Sequence, residues 1–488
     1  MSIAEFVNTV LGTFSHQPTA DQFAALGTLG RFLADRQGTA VMVMRGSAGT
    51  GKTSLASAMV RTLHRLGQKL VLLAPTGRAA KVFAQSAGMP AFTVHRKIYR
   101  EKTYSGLDGQ FSLNDNLHAD TLFVVDESSM ISNGLSAGSS FGSGCLLDDL
   151  VSYVYGGRNC RLMLIGDKAQ LPPVGESESP ALSPQMLAGY GLTVYECDLN
   201  EVVRQGESSG ILYNATAIRL LATRDASTCL PRLALTGFAD IVVVRGDELV
   251  ETIASSYSRV GVDDTIVITR SNKRSNIYNM GIRNQVLGCE ERLCSGDLLM
   301  VVKNNYQLTA SSNDSNAPSF IANGDRCRVQ RVRGEHSVYG NSFATALLRF
   351  PDYDDYEVST TVLLDTLTSD APALTREQQE KLYDGVMADY ADLPRKSDRL
   401  AQLRADSHFN ALQIKYAYAV TCHKAQGGQW AHVYVDQGYM TDDMVNADYF
   451  HWLYTAFTRA TEKLFLVNWP QELLVEPGVF PVVWNDDD

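Results

Sequence analysis

Apolar positions cluster in short runs that predict strands. Ala40-Val-Met-Val-Met44, Thr121-Leu-Phe-Val-Val125 and Arg161-Leu-Met-Leu-Ile165 are the clearest. The first leads through a glycine-rich turn into a helical run, Leu55-Ala-Ser-Ala-Met-Val60. Strands and helices alternate over about 22–200, then over about 201–300 and 411–475, the pattern of α/β units. Two segments interrupt it. Residues 96–120 carry Tyr99, Tyr104 and Phe111 around Gly106 and Gly109. Residues 301–410 read as strands to about 365 and as charged helices over 375–406. A Gly/Ser-rich stretch, Ser136–Gly144, follows the second apolar strand and reads as a flexible loop.

Composition sharpens this picture in three ways. The 488 residues are 45% hydrophobic, enough for three or four compact units. No apolar run approaches the roughly twenty residues of a membrane span, and Met1-Ser-Ile-Ala-Glu-Phe6 lacks the pattern of a signal peptide. A cytoplasmic protein without membrane contact is therefore expected. The eight cysteines contain no Cys-x-x-Cys pair, which suits reduced thiols better than a metal site. The net charge of −11 argues against a uniformly basic nucleic-acid surface, yet Arg61–Tyr104 holds nine Lys/Arg residues and one acid, Glu101. That segment is either a basic channel or a solvated helix face.

Candidate chemistry starts with Gly46, Ser47, Ala48, Gly49, Thr50, Gly51, Lys52 and Thr53, which fit the P-loop pattern in strand–loop–helix context. The glycines let backbone N–H groups face a polyphosphate, and the helix N-terminus adds its positive end. Lys52 is expected on the β/γ-phosphates of ATP and the Thr53 hydroxyl on Mg²⁺. The strand at 121–125 runs into Asp126-Glu127. Asp126 is expected to hold Mg²⁺ and Glu127 to polarise the attacking water. Gln170 follows the third strand, where a γ-phosphate sensor sits. Arg204 and Arg459 read by themselves as surface arginines.

Taken together these blocks resemble the superfamily-one helicases of the RecD, Dda and Pif branch, motif by motif and in order. Thr19-Ala-Asp-Gln22 resembles the segment that reads adenine, with Gln22 as reader. Ala74–Ala80, with Pro75, Thr76 and Arg78, resembles the motif that contacts the strand's backbone. Thr93-Val-His-Arg96 resembles the segment that follows it. Arg204-Gln205, Tyr418–Gly427 and Tyr454–Ala460 resemble the three later motifs, with Ala425 where many relatives carry serine. The likeness covers about 15–470.

The resemblance implies two RecA-like units with ATP and Mg²⁺ between them. The first comprises 1–95 and 121–200, the second 201–300 and 411–478. A hairpin insertion at 96–120 is expected to act as a pin that splits duplex. An SH3-like β-barrel with a helical extension is expected at 301–410. Arg204 and Arg459 become arginine fingers, and Gly427 a nucleotide contact. Thr76, Arg78, Thr93, His95, Thr421, His423 and Lys424, with Pro75, are the implied DNA contacts, although His95 and His423 equally fit hydrogen-bonded structural histidines. The implied activity is an ATP-dependent 5′-to-3′ helicase on single-stranded and forked DNA, working as a monomer, with replication or recombination proteins as partners. A strand-stimulated ATPase subunit of a larger recombination complex, an RNA motor and a non-translocating ATPase switch are the alternatives.

Overall fold

The computed structural model describes residues 3–14, 17–35, 37–105, 108–134, 141–201, 209–222, 230–310, 318 and 320–475. The first unit is a six-stranded sheet in the order Ala91–Thr93, Lys69–Ala74, Thr121–Val125, Arg161–Gly166, Ala40–Gly46, Thr193–Leu199, parallel throughout. The apolar runs have a plain cause: helices cover both faces, so no position along a central strand meets water. Because side chains alternate, each strand feeds two cores. Met42, Met44, Val124 and Met163 pack on one side; Val41, Val43, Phe123 and Leu162 pack on the other.

The second unit is a five-stranded parallel sheet, in the order Ile241–Val244, Ala460–Val467, Trp430–Asp436, Thr265–Thr269, Ala419–Thr421. The chain between Thr265–Thr269 and Ala419–Thr421 builds a closed five-stranded barrel from Leu298–Val301, Arg326–Val338, Asn341–Phe350, Tyr356–Leu363 and Leu412–Tyr416. The barrel takes its first strand from before residue 301 and its last from after 410, so it is wider in sequence than expected. Its closing strand, Leu412–Tyr416, lies two residues before Ala419–Thr421 of the sheet. As a result barrel and sheet share one hydrophobic core, in which Leu299, Val329 and Ile414 join Ile268, Val435 and Leu466. The helices Arg376–Asp389 and Lys396–Ala405 close a smaller core with Phe343 and Leu363.

Tyr99–Ser105 pairs antiparallel with Asp108–Leu113 as a hairpin projecting from the first unit. Its Phe111 ring lies 4.2 Å from Tyr306 of the barrel segment and 4.8 Å from Phe141. Most of the Gly/Ser stretch, 135–140, lies outside the described residues. No described helix is long and apolar enough to cross a membrane.

Candidate functional site

The strand Ala40–Gly46 ends where the chain must turn sharply into the helix Lys52–Arg65. Gly49 and Gly51 make the turn in the left-handed region, at φ 78° and 72°, where an L side chain is strained. Gly46 is small for a different reason: a Cβ there would meet Thr50 Oγ1 at 2.9 Å and Leu199 Cβ at 3.1 Å. Thr50 Oγ1 donates to the Ser47 carbonyl at 2.8 Å, and Lys52 Nζ to the Gly46 carbonyl at 2.7 Å. The loop therefore presents a helix N-terminus and an ammonium at one point, an anion cradle. Gln22 braces it. Its Nε2 donates to the Thr50 carbonyl at 2.8 Å, and its Oε1 accepts the Thr19 amide at 3.1 Å in a capping box. One N–H and one lone pair remain for a base edge.

Asp126 and Glu127 emerge from the strand Thr121–Val125. The Glu127 amide donates to Asp126 Oδ1 at 2.8 Å. Burial, then the Glu127 charge, raises the Asp126 pKa to about 6 against the opposing pull of the Lys52 ammonium. Glu127 itself holds a left-handed backbone, φ 51°, unusual for a side chain of its size. Its Oε2, Gln170 Oε1 and Ser129 Oγ are buried without a hydrogen-bond partner. Buried polar atoms are nearly always paired, so these oxygens suit a further polar occupant. The Thr53 hydroxyl and Asp126 carboxylate are hard oxygen donors of the kind Mg²⁺ takes.

The second unit supplies the opposite wall. From the helix Ala447–Phe457, the Tyr454 hydroxyl donates to Asp167 Oδ2 at 2.6 Å and accepts the Ala48 amide at 2.8 Å. Thr455 Oγ1 accepts the Leu171 amide at 2.7 Å, and Gln426 Nε2 donates to the Leu171 carbonyl at 2.7 Å. Arg219, on the helix Gly210–Ala222, donates from Nη1 to Ser47 Oγ in the P-loop. Arg459 lies elsewhere: its guanidinium donates to the carbonyls of Thr455 at 3.0 Å and Gly428 at 3.2 Å, within its own unit. Arg204 lies outside the described residues.

Residues 29–238, which carry the loop, the carboxylates and Arg219, match the AAA domain family. Residues 416–467, which carry Tyr454 and Arg459, match the UvrD-like helicase C-terminal domain. The ATP-dependent RecD2 DNA helicase of Deinococcus radiodurans is 25% identical over 430 residues, 88% of this chain and 47% of the relative. The ATP-dependent DNA helicase dda of Enterobacteria phage T4 is 24% identical over 53% of this chain and 56% of its own. The chain belongs to the superfamily-one helicases of the RecD, Dda and Pif branch. It spans about half the length of these relatives. A solved Bacteroides Pif1 helicase in complex with ADP-AlF3 and ssDNA covers 94% of this chain and 95% of its own, at 14% identity and a TM-score of 0.47.

In this helicase-family chain the residues expected at the strand fall into two groups. Thr76 caps the helix Gly77–Ala87 by accepting the Ala79 amide at 3.2 Å, and Thr93 caps Val94–Ile98 by accepting the Arg96 amide at 3.2 Å. Pro75 leads into the first of these caps. Thr421 precedes the short helix Cys422–Ala425 without a side-chain capping bond; in that helix His423 is exposed and Lys424 shares a cleft with Lys415. Burial, then the Lys415 charge, lowers the Lys424 pKa to about 8. Three further residues have partners of another kind. Gly427, at φ 71°, packs beside the Thr76 cap, where a Cβ would meet Ala79 Cβ at 3.0 Å and Thr76 Oγ1 at 3.1 Å. The Arg78 guanidinium lies 4.5 Å over the Trp430 ring and donates to the Gln429 carbonyl, so it ties the two units together. His95 packs in the aromatic cluster, 5.1 Å from Phe141 and 5.7 Å from Tyr99, and burial lowers its pKa to about 4.

Arg219 and the Tyr454 hydroxyl are the site residues that sequence reading missed. The available signals were a single basic side chain on an otherwise uncharged helix and a tyrosine hydroxyl on a largely apolar one. Neither signal names a partner more than 170 residues away in the chain.

Proposed function

We propose that this chain is an ATP-driven motor that moves 5′ to 3′ on single-stranded DNA and separates duplex ahead of it. The observation that carries the reading is the cleft itself: a P-loop and paired carboxylates on one sheet, met by Tyr454 and Arg219 from the other unit. A nucleotide bound between two units couples its hydrolysis to their closure. Lys52 and the loop amides hold the phosphates, and Gln22 offers its remaining amide groups to the base. Glu127, with its free buried oxygen, orients the attacking water and takes its proton. Gln170 and Arg219 face the γ-phosphate, and Arg459 joins them on closure. Thr53 and Asp126 would hold Mg²⁺, which would supply charge neutralisation on the polyphosphate. The capped helix starts at Thr76 and Thr93, with Thr421 at the start of a third helix, grip backbone phosphates, so little base preference is expected. The relatives named ATP-dependent DNA helicases support DNA as the track.

Strand displacement tests the reading on two partial duplexes, one with a 5′ tail and one with a 3′ tail, in ATP and Mg²⁺. Opening of the 5′-tailed substrate alone, lost in Lys52→Ala, is the expected result. Opening of the 3′-tailed substrate instead overturns the polarity. Strand-stimulated hydrolysis without opening of either points to a translocating subunit.

A further inference from the structure

The first unit, the second sheet and the barrel meet at one ring. Trp430, 2% exposed, opens the strand Trp430–Asp436 of the second sheet. The guanidinium of Arg78, from the helix Gly77–Ala87 of the first unit, lies 4.5 Å from its ring centroid. Arg326, on the barrel strand Arg326–Val338, lies 5.8 Å from the same centroid. Trp430 Nε1 is buried without a hydrogen-bond partner, so packing and the two cations hold the indole in place.

The backbone beside this ring holds Arg459. The Trp430 amide donates to the Arg459 carbonyl at 2.9 Å, and Trp430 pairs with Ala460 in the sheet. One residue earlier, the Gln429 carbonyl accepts Arg78 Nη2 at 2.7 Å. One earlier again, the Gly428 carbonyl accepts Arg459 Nη1 at 3.2 Å. Gly428 lies so close to the indole that a Cβ there would meet the ring at 2.3 Å. Three consecutive residues are thus gripped in turn by Arg459, Arg78 and Arg459. A guanidinium that stacks on a ring and bonds a carbonyl is fixed in both plane and direction, so Arg78 acts as a clamp.

We propose that Arg78 is a positioning residue for Arg459: from the first unit it fixes the Gly428–Trp430 backbone, and through it the guanidinium that joins the γ-phosphate. The inference rests on the reading of Arg459 as a γ-phosphate contact made on closure. It adds a mechanical path from the helix Gly77–Ala87 to the phosphate site, since a shift of that helix carries the Gln429 carbonyl, and with it the support under Arg459. It also gives Arg78 a task other than the strand contact that the family resemblance implies.

The test is a double-mutant cycle on the full chain. It reads kcat for ATP hydrolysis at saturating oligothymidylate and, separately, oligothymidylate affinity by fluorescence anisotropy across a salt series. Arg78→Ala is expected to lower kcat about 10-fold, the cost of a misplaced catalytic group, and to keep strand affinity and salt slope. Arg78→Lys, which keeps the charge and loses the planar fork, is expected to recover kcat to within about 3-fold of the parent. Arg459→Ala alone is expected to lose about 100-fold. In that background Arg78→Ala is expected to change kcat by less than about 2-fold, because the residue it positions is gone. Gly428→Ala leaves Arg78 intact and forces the ring from the loop; it is expected to reproduce the loss of about 10-fold. Equal losses from Arg78→Ala in both backgrounds overturn the inference, since a merely structural role acts whether or not Arg459 is present. Weaker strand binding with a salt slope smaller by about 0.7 also overturns it and returns Arg78 to the strand as a phosphate contact. If Arg459→Ala keeps the parent's kcat, the reading of Arg459 falls and the inference with it, while the motor reading stands. If the parent shows no hydrolysis stimulated by the strand, the motor reading itself falls.

Discussion

Arg219 shows what one side chain contributes when the fold carries it to the right place. A guanidinium on Ser47 stands beside the phosphate cradle and comes from the unit that must close on it. Arg219→Ala is expected to lower kcat/KM for ATP hydrolysis by on the order of 10²-fold, the usual cost of one charge-stabilising donor. Strand affinity without nucleotide should be unchanged. A loss below about 3-fold in steady-state hydrolysis assigns Arg219 to bracing the loop alone. Arg459 differs: each of its three guanidinium nitrogens donates to a partner inside its own unit, which leaves one N–H on each terminal nitrogen for a phosphate. The P-loop, Asp126 and Glu127 were legible because their chemistry is local in sequence. Arg219 and Tyr454 were not, because each acts on a distant segment.

At the scale of elements, the hairpin Tyr99–Ser105 and Asp108–Leu113 is held by rings from two other segments, which Phe111 meets. Phe111 stacks on Phe141 and meets Tyr306, which in turn lies 4.9 Å from Phe320. Such contacts are each worth about 0.5–1.5 kcal/mol beyond area burial, and together they stiffen the hairpin against the barrel. Phe111→Ala is expected to slow duplex opening more than it slows hydrolysis stimulated by single strands, because a loosened hairpin yields when it meets the duplex. Equal loss of both rates, measured on the same forked substrate, rejects that role. The insertion was legible as a break in the strand–helix alternation, and its hairpin form through the family resemblance. The part played by Phe141 was not, because the Gly/Ser-rich stretch containing it reads as loop.

At the scale of the molecule, the barrel and the second sheet form one core, and a buried ion pair lies at their junction. Arg283 Nε and Nη2 each donate to an Asp297 oxygen at 2.9 Å, the Tyr418 hydroxyl donates to Asp297 Oδ1 at 2.9 Å, and the Cys294 amide to Oδ2 at 2.7 Å. Both side chains are nearly inaccessible, at 1% and 0%. Removing one partner strands a charge in the interior. Asp297→Ala is therefore expected to destabilise by about 3–5 kcal/mol, read as a lower denaturant midpoint for the second unit. A shift equivalent to less than about 1 kcal/mol assigns the pair to the class of exposed ion pairs.

The sequence by itself determined the elements and the local chemistry. Continuous apolar runs set which strands are covered on both faces, paired glycines set the P-loop turn, and adjacent carboxylates set the acidic end of the strand Thr121–Val125, since each depends on neighbours a few residues apart. Tertiary structure alone decided the rest. It chose where the barrel begins and ends, because closure depends on the pairing of Leu298–Val301 with Leu412–Tyr416, more than 110 residues away. It also chose which arginine meets the loop, which ring docks the hairpin, and that Gly427 lies by the Thr76 cap. Such contacts join segments the chain separates, and hydrophobic periodicity carries no record of which segments meet.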